Sequence, residues 1–381
     1  MRDGKGPADG IHIDLGSMKR AYDIFMKVAD EKHLSGVSTY ITQFLECFRG
    51  DSEFNVQTIS DDASVQGHPA DGSVFVQNFC PAYKSVRNIR EKFRKCRIVY
   101  VVHDMIWLSL FNGDVEGYVS FIRRAGEKPS HTYRESLLKA LYVDTIRACG
   151  LADAVVCLNP DMVRLMRDFY MVEPAKIHLI RNGLSDPCSD SVGKSCHSDS
   201  GRIRIIYAGR FTEQKGFDVL LKAFDMANRS GCLFELVCCG DKMPENLYGI
   251  SKDCADLIKW AGCLPHDELM SLMHRCDLGF MPSRFEQSGY SGIEMKASGL
   301  PLIVSDGFGV SDLGADGSAL VFESGDAESL ASVMIDFASM SEQERLQLVR
   351  KSREDYRRRY SIDAMRNSYR LLLDSILRKQ Q

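Results

Sequence analysis

Ten short apolar runs, nearly continuous rather than alternating, set the fold class of this chain. Four lie at residues 74–79, 97–104, 152–159 and 176–182, and six follow at 202–209, 233–240, 258–264, 277–282, 301–305 and 319–322. A strand with one wet face alternates apolar and polar residues. A strand covered by helices on both faces reads as an unbroken apolar stretch. Helical patterns separate the runs: Val219, Leu220, Ala223, Phe224 and Ala227 share one stripe in 218–229, Leu269, Leu272 and Met273 in 266–275, and Leu330, Val333 and Phe337 in 326–337. Strands alternating with such helices specify an α/β architecture of parallel sheets.

The two series are separated by residues 185–200, SDPCSDSVGKSCHSDS, with six Ser, three Asp and almost nothing apolar. This reads as a linker. It predicts a Rossmann-like domain over 1–184, a second over 201–360, and a helix over 361–381 in which Met365, Tyr369, Leu372, Leu373 and Ile376 pack as core. Residues 1–10, MRDGKGPADG, read as a frayed end. Open parallel sheets bind ligands beyond the carboxyl ends of their strands, so two such domains imply a ligand cleft between them.

Composition removes other classes. With 44% hydrophobic and 26% charged residues among 381, the chain is neither disordered nor low in complexity. No apolar run approaches the ~20 residues of a membrane span. No basic-then-apolar leader opens the chain, so secretion is not expected. A net charge of −4 gives no case for a nucleic-acid partner. Thirteen cysteines in this length, without a Cys-x-x-Cys, read as reduced thiols and point to the cytoplasm. Cys157, Cys238 and Cys239 fall inside apolar runs as small hydrophobes.

Several familiar signatures fail. Gly193-Lys194-Ser195 ends like a phosphate-binding P-loop, but Cys188 stands where its first Gly belongs and no strand precedes it. No Gly-x-Gly-x-x-Gly, Gly-x-Ser-x-Gly or Asp-x-Asp occurs. The last of these would supply a carboxylate pair for a divalent metal. No metal site and no cofactor are expected.

Three segments of the second half carry chemistry. Gly209-Arg210-Phe211-Thr212-Glu213-Gln214-Lys215-Gly216 follows a strand and precedes a helix, where free N–H groups and the helix dipole suit anions. Arg210 and Lys215 add a forked cation and a point cation for one diphosphate. Pro282-Ser283-Arg284-Phe285-Glu286-Gln287-Ser288-Gly289-Tyr290-Ser291-Gly292-Ile293-Glu294 spaces two carboxylates eight positions apart. If Gly289 opens a helix, Glu294 lies in its second turn, Glu286 in the loop ahead, and the Tyr290 and Ser291 amides are free. In the third segment, Gly299 caps a helix, Pro301 opens a strand, and Gly307-Phe308-Gly309 follows at that strand's carboxyl end.

In this order and spacing the three segments resemble the retaining glycosyltransferases of the GT-B fold, in particular glycosyltransferase family 4. The Gly209–Gly216 loop is similar to that of bacterial glycogen and starch synthases. The family's Glu-x7-Glu matches Glu286 and Glu294. The resemblance covers 202–340 strongly and reaches 97–184 through Val102-His103-Asp104, Ala152-Asp153-Ala154-Val155-Val156 and Ile180-Arg181-Asn182-Gly183. It implies two Rossmann-like domains facing across a cleft, with the last helix crossing back to the first domain. It implies a nucleoside-diphosphate sugar, UDP-sugars being the class expected, as co-substrate.

Residue roles follow from the same resemblance. Arg210 and Lys215 would hold the diphosphate, with Gly209 in the same loop. Gly289, Tyr290 and Ser291 would offer backbone contacts to phosphate and sugar, Glu294 would hold the ribose, and Glu286 the donor sugar. Cys263 and Leu264 would lie near the base, His103 near the sugar, and Ser35 and Gly36 on the acceptor side. The implied reaction moves a hexose-type sugar to an acceptor hydroxyl without a metal and with retention. The diphosphate itself takes the acceptor proton, unlike glycosidases, where two carboxylates divide the work. A GT-B-fold isomerase or epimerase is the alternative enzyme, although such isomerases lack Glu-x7-Glu. A non-catalytic sugar-nucleotide-binding partner subunit is the other alternative.

Three departures stand out. Ser35 replaces one of two adjacent glycines. The family's Gly-Gly-x-x-Glu appears as Phe308-Gly309-Val310-Ser311-Asp312. Glu294-Met295-Lys296-Ala297 stands where Ala-Met-Ala is commoner after the Glu. Separately, 83–97 holds seven basic residues and one acid, with Val86, Ile89 and Phe93 on one helical face. This segment is read either as a peripheral contact with an anionic membrane or as a solvated helix packed by those three residues.

Overall fold

The computed structural model describes residues 22–27, 36–60, 69–103, 105–126, 129–187, 201–242 and 247–378. The predicted frayed end 1–10, the body of the predicted linker (188–200), Ser35 and Asp104 lie outside the described residues.

Two six-stranded parallel sheets organise the chain. The first contains β1 (Tyr22–Lys27), β2 (Phe54–Ile59), β3 (Val74–Gln77), β4 (Arg97–Val101), β5 (Ala154–Cys157) and β6 (Ile177–Leu179) in the order β2-β1-β3-β4-β5-β6. Helices α1 (Gly36–Cys47), α2 (Tyr83–Lys92), α3 (Ile106–Leu110), α4 (Val115–Ala125), α5 (Tyr133–Leu151) and α6 (Pro160–Asp168) accompany it. The second contains β7 (Ile203–Ala208), β8 (Phe234–Cys239), β9 (Ile258–Gly262), β10 (Leu278–Met281), β11 (Leu302–Ser305) and β12 (Leu320–Phe322) in the order β12-β11-β10-β7-β8-β9. Its helices are α7 (Phe217–Arg229), α8 (Lys252–Ala255), α9 (His266–Met273), α10 (Tyr290–Ala297), α11 (Ala327–Ser339) and α12 (Glu342–Asp355). A π-helical turn, Tyr356–Tyr360, leads into α13 (Ile362–Leu377).

The inner strands of each sheet are buried on both faces, which is why most of them read as unbroken apolar runs. In the first sheet Phe25, Phe75, Ile98, Tyr100 and Val155 face one cluster, and Ile24, Val74, Val99, Val101 and Val156 face the other. In the second, Ile205, Tyr207, Leu236 and Phe280 oppose Ile206, Val237, Met281 and Val304. Met365, Tyr369, Leu372, Leu373 and Ile376 of α13 join the Ile24 cluster of the first sheet. Burial of five such side chains contributes on the order of 10 kcal/mol. The C-terminal helix is therefore welded to the first sheet. No described helix is long and apolar enough to cross a membrane.

Two strands precede the first one read from sequence. β1 (YDIFMK) and β2 (FNVQTI) carry polar residues among the apolar ones, and Asn55 of β2 donates to Asp23 of β1 at 2.9 Å. β2 is an edge strand with only its end residues buried, so its sequence lacks a continuous apolar run. The run at 176–182 yields only the short β6. The membrane reading of 83–97 also changes. Val86, Ile89 and Phe93 pack inside the first sheet's core, so α2 offers no apolar face for insertion, and the segment bends into β4 from Arg97. Arg90 and Arg97 are tied to Asp153 at 2.6 and 3.3 Å, which leaves an exposed basic ridge from Lys84 to Lys95.

Candidate active site

In the second sheet the chain runs β7, β8, β9 in one direction and then returns to place β10 on the other side of β7. Ligands of open parallel sheets sit where the strand order reverses, beyond the carboxyl ends. The loops leaving β7 and β10 are those carrying Arg210, Lys215 and Glu286.

These loops are locked together. Lys215 Nζ lies 2.5 Å from Glu286 Oε1, and Ser283 Oγ donates to the same oxygen at 2.7 Å. The Glu286 side chain is 8% exposed and that of Lys215 21%. Gly216 has φ +66, and a Cβ there would sit 1.8 Å from the Pro282 carbonyl oxygen, so the two loops touch backbone to backbone only because this residue is glycine. Arg284 staples the pair. Its amide donates to Gln214 O at 2.9 Å, and its guanidinium grips both oxygens of Asp218 at 2.7 and 2.8 Å and reaches Glu213 O. Sequence reading passed over Arg284 and Ser283. The only signal for Arg284 was its place two residues before the candidate carboxylate Glu286.

Arg210 is exposed and donates to the Gln214 amide oxygen at 3.2 Å, while its carbonyl accepts from the Tyr207 hydroxyl at 2.6 Å. Gly209 follows β7, its amide held by Cys239 O at 2.9 Å. Gly289, in the left-handed conformation, precedes α10, and no side chain caps that helix. The first amides, those of Tyr290 and Ser291, have no intrahelical acceptor. The Tyr290 side chain lies between a first-sheet and a second-sheet cluster, and its buried hydroxyl has no partner among the described residues.

Glu294 sits in the second turn of α10, its carboxylate 3.5 Å from His266 Nδ1 at the start of α9. Burial raises its pKa to about 7. Sequence reading also missed His266. Cys263 is exposed and Leu264 half-buried just past β9. His103 lies two residues beyond β4, 5% exposed, its ring 4.2 Å from that of Tyr40 of α1. Burial drives its pKa down to about 3, so the imidazole is neutral, and its Nε2 has no partner among the described residues. Gly36 opens α1. The structure thus joins Lys215 to Glu286 directly, pairs Glu294 with His266, and places His103 against Tyr40.

Two of the sequence departures have a structural account. Lys296 is fully buried and binds Asp355 at 2.9 Å and Ser318 Oγ at 2.7 Å. Asp312 accepts a fork from Arg181 at 2.6 and 2.8 Å and also meets Arg359 and Tyr360. With Arg359 on Asp355 as well, one buried network ties α10 and α12 to the segment leaving the first sheet. None of the eleven cysteines among the described residues forms a disulfide.

Two parallel-sheet halves with this strand order are the GT-B architecture. The structure superposes on sucrose-phosphate synthase from Thermosynechococcus elongatus with a TM-score of 0.71 over 94% of this chain and 100% of that one, at 16% identity. It superposes on Anabaena HepE, solved in complex with UDP and glucose, with a TM-score of 0.64 over 93% and 100% at 14% identity. Residues 194–355 match the family model of the glycosyl transferases group 1. Glycogen synthase of Mycobacterium tuberculosis is 25% identical over 158 residues, 41% of this chain and 38% of that protein. The matches span less than half the length of the first curated relatives.

Proposed function

We propose that this protein transfers a hexose-type sugar from a nucleoside-diphosphate sugar to an acceptor hydroxyl, with retention of configuration and without a metal. The observation that carries this reading is the Lys215–Glu286 pair at the reversal point of the second sheet, with Arg210 in the same loop and an uncapped helix beside it. A diphosphate leaving group develops negative charge as the glycosidic bond breaks. Lys215, Arg210 and the α10 amides are preorganised donors of the kind that stabilise such charge. The arriving diphosphate draws Lys215 from Glu286, which then accepts hydroxyls of the donor sugar. Glu294 takes the ribose, and the base lies along Cys263 and Leu264. His103, neutral, hydrogen-bonds a sugar hydroxyl without repelling or attracting the phosphates.

A UDP-sugar is the favoured donor, because similar folds hold UDP and UDP-glucose. The acceptor is a saccharide, lipid-linked or peptide hydroxyl in glycan biosynthesis, and we place the reaction in the cytoplasm, where thirteen cysteines stay reduced. The basic ridge from Lys84 to Lys95 would add a purely electrostatic attraction to an anionic bilayer, ~1 kcal/mol per cation. The test is a screen of nucleotide sugars by thermal shift, followed by release of nucleoside diphosphate and the mass of the product, each with and without EDTA. A donor that stabilises the protein and is turned over in EDTA supports the reading. No turnover of any nucleotide sugar refutes it, and activity lost in EDTA and restored by manganese refutes the metal-free site.

A further inference from the structure

The loop that carries Glu286 is built into both halves of the molecule. Phe285, immediately before it, is 1% exposed and belongs to the first-sheet cluster that contains Trp107, Tyr118 and Met162. A Cβ on Gly113, between α3 and α4, would lie 2.9 Å from the Phe285 ring. Phe308, after β11, packs on the same cluster, and its carbonyl accepts from the Glu286 amide at 2.8 Å. Immediately after Glu286, the Gln287 carbonyl accepts from Asn159 Nδ2 at 2.9 Å. Two residues on from Asn159, Asp161 Oδ2 accepts from the Gly309 amide at 2.7 Å. Asn159 is 2% exposed, and its other amide atom, Oδ1, caps α6 by accepting from Met162 N at 2.8 Å. Gly309 seals the junction: a Cβ there would fall 2.0 Å from Glu286 O and 2.7 Å from Asn159 Nδ2.

We infer that Asn159 and Asp161, at the start of α6 in the first half, are positioning residues for Glu286 in the second. The inference rests on the function proposed above. Glu286 cannot shift alone, because Phe285 and Gln287 on either side of it are held by the first half. Its amide is held by Phe308, whose neighbour Gly309 is held by Asp161. The carboxylate that meets the donor sugar is therefore in place only when the two halves are docked through α6. Asn159 does two jobs with one amide, a helix cap with the oxygen and a bond across the halves with the nitrogen, and the two can be separated by mutation.

Asn159→Asp keeps the capping oxygen but sets an oxygen against the Gln287 carbonyl. Asp161→Ala removes the acceptor of the Gly309 amide, and Asp161→Asn keeps one. On the full chain we would measure amide hydrogen exchange over 283–312, turnover and donor KM with the nucleotide sugar found in the screen, and the melting temperature. Asn159→Asp and Asp161→Ala are expected to raise exchange of the Glu286 and Gly309 amides at least ~10-fold. They should lower kcat ~10- to 100-fold, the scale of a misplaced catalytic group, with donor KM changed by less than ~3-fold. Asp161→Asn should behave as wild type. Unchanged exchange over 283–312 in both disruptive variants, or a lowered melting temperature with kcat intact, overturns the inference. If no nucleotide sugar is turned over by the wild type while exchange responds as described, the coupling of α6 to this loop stands and the proposed function falls.

Discussion

Lys215→Ala separates two roles that one ammonium group plays. In the ligand-free protein Lys215 neutralises Glu286 at 2.5 Å, with the carboxylate side chain 8% exposed. Breaking a fully buried ion pair by removing one partner costs ~3–5 kcal/mol. The lysine side chain is 21% exposed, so solvent screening reduces this to ~2 kcal/mol. A loss of that size lowers the melting temperature of a domain this large by ~4–8 °C. In the proposed transfer the same cation faces the developing charge of the diphosphate, and removing one preorganised donor of this kind costs ~10²–10³ in kcat. The variants to compare are Lys215→Ala, Glu286→Gln and the double substitution, by thermal melting and by steady-state release of nucleoside diphosphate. The double substitution should recover most of the lost stability, because a neutral amide needs no cation. It should still turn over ~100-fold slower than Glu286→Gln alone. Equal kcat in Glu286→Gln and the double variant would refute the reasoning, since Lys215 would then serve only to neutralise Glu286.

The remaining expectations concern α10 and the loop before α7. Glu294 has its pKa raised by burial to about 7 from an ordinary 4.5, so between those values the folded protein holds a proton that the unfolded chain has released. Stability therefore falls as pH rises from about 4.5 to about 7 and levels off above, as denaturant melts will show. Ribose hydroxyls donate best to the ionised carboxyl, so calorimetric donor affinity should rise with pH through about 7, and Glu294→Gln should flatten both profiles. Gly216→Ala places a methyl 1.8 Å from Pro282 O at φ +66 and should cost at least ~2 kcal/mol by chemical denaturation and weaken donor binding with it. Lys296→Met leaves the buried Asp355 with Arg359 but without its lysine, and a loss of at least ~2 kcal/mol is expected in the same assay.

The second sheet was legible because its four inner strands are covered on both faces, and all six of its apolar runs contain the observed strands. The first sheet was legible only from β3 onward. β1 and β2 mix Asp23, Lys27, Asn55, Gln57 and Thr58 with their apolar residues, and β2, at the edge of the sheet, is exposed at three of its six positions. Lys215 and Glu286 were legible because a cation and a carboxylate in loops after strands already carry their chemistry. That they bind one another was not, since the contact spans 71 positions and depends on β10 lying beside β7. Asn159-Pro160 is a readable helix start, an N-cap followed by Pro at N1. Its second hydrogen bond, to a carbonyl 128 positions away, has no local signature. Burial hid the state of His103 in the same way: no neighbouring residue type shows that its imidazole is neutral, only the packing around it does.

The charge of the chain acquires a meaning once these contacts are counted. Residues 1–184 carry a net +1 and residues 185–381 a net −5. The half proposed to hold an anionic donor is thus the acidic one, and bulk charge does not draw the donor in. Nor do most of the local cations stand ready. Lys215 is committed to Glu286, Arg284 to Asp218, and Lys296 and Arg359 to Asp355. Arg210 differs: it is exposed and donates to the neutral amide of Gln214. Pairing most of its cations with its own carboxylates ties the loops of this site to one another. Under the proposed function it becomes a diphosphate site by exchange, the donor replacing Glu286 on Lys215. That exchange explains why the carboxylate belongs in the loop opposite the lysine. In that proposal Glu286 holds the cation in place before the donor arrives and is released toward the sugar as it binds. Binding energy then goes into an arrangement that exists only with the donor present.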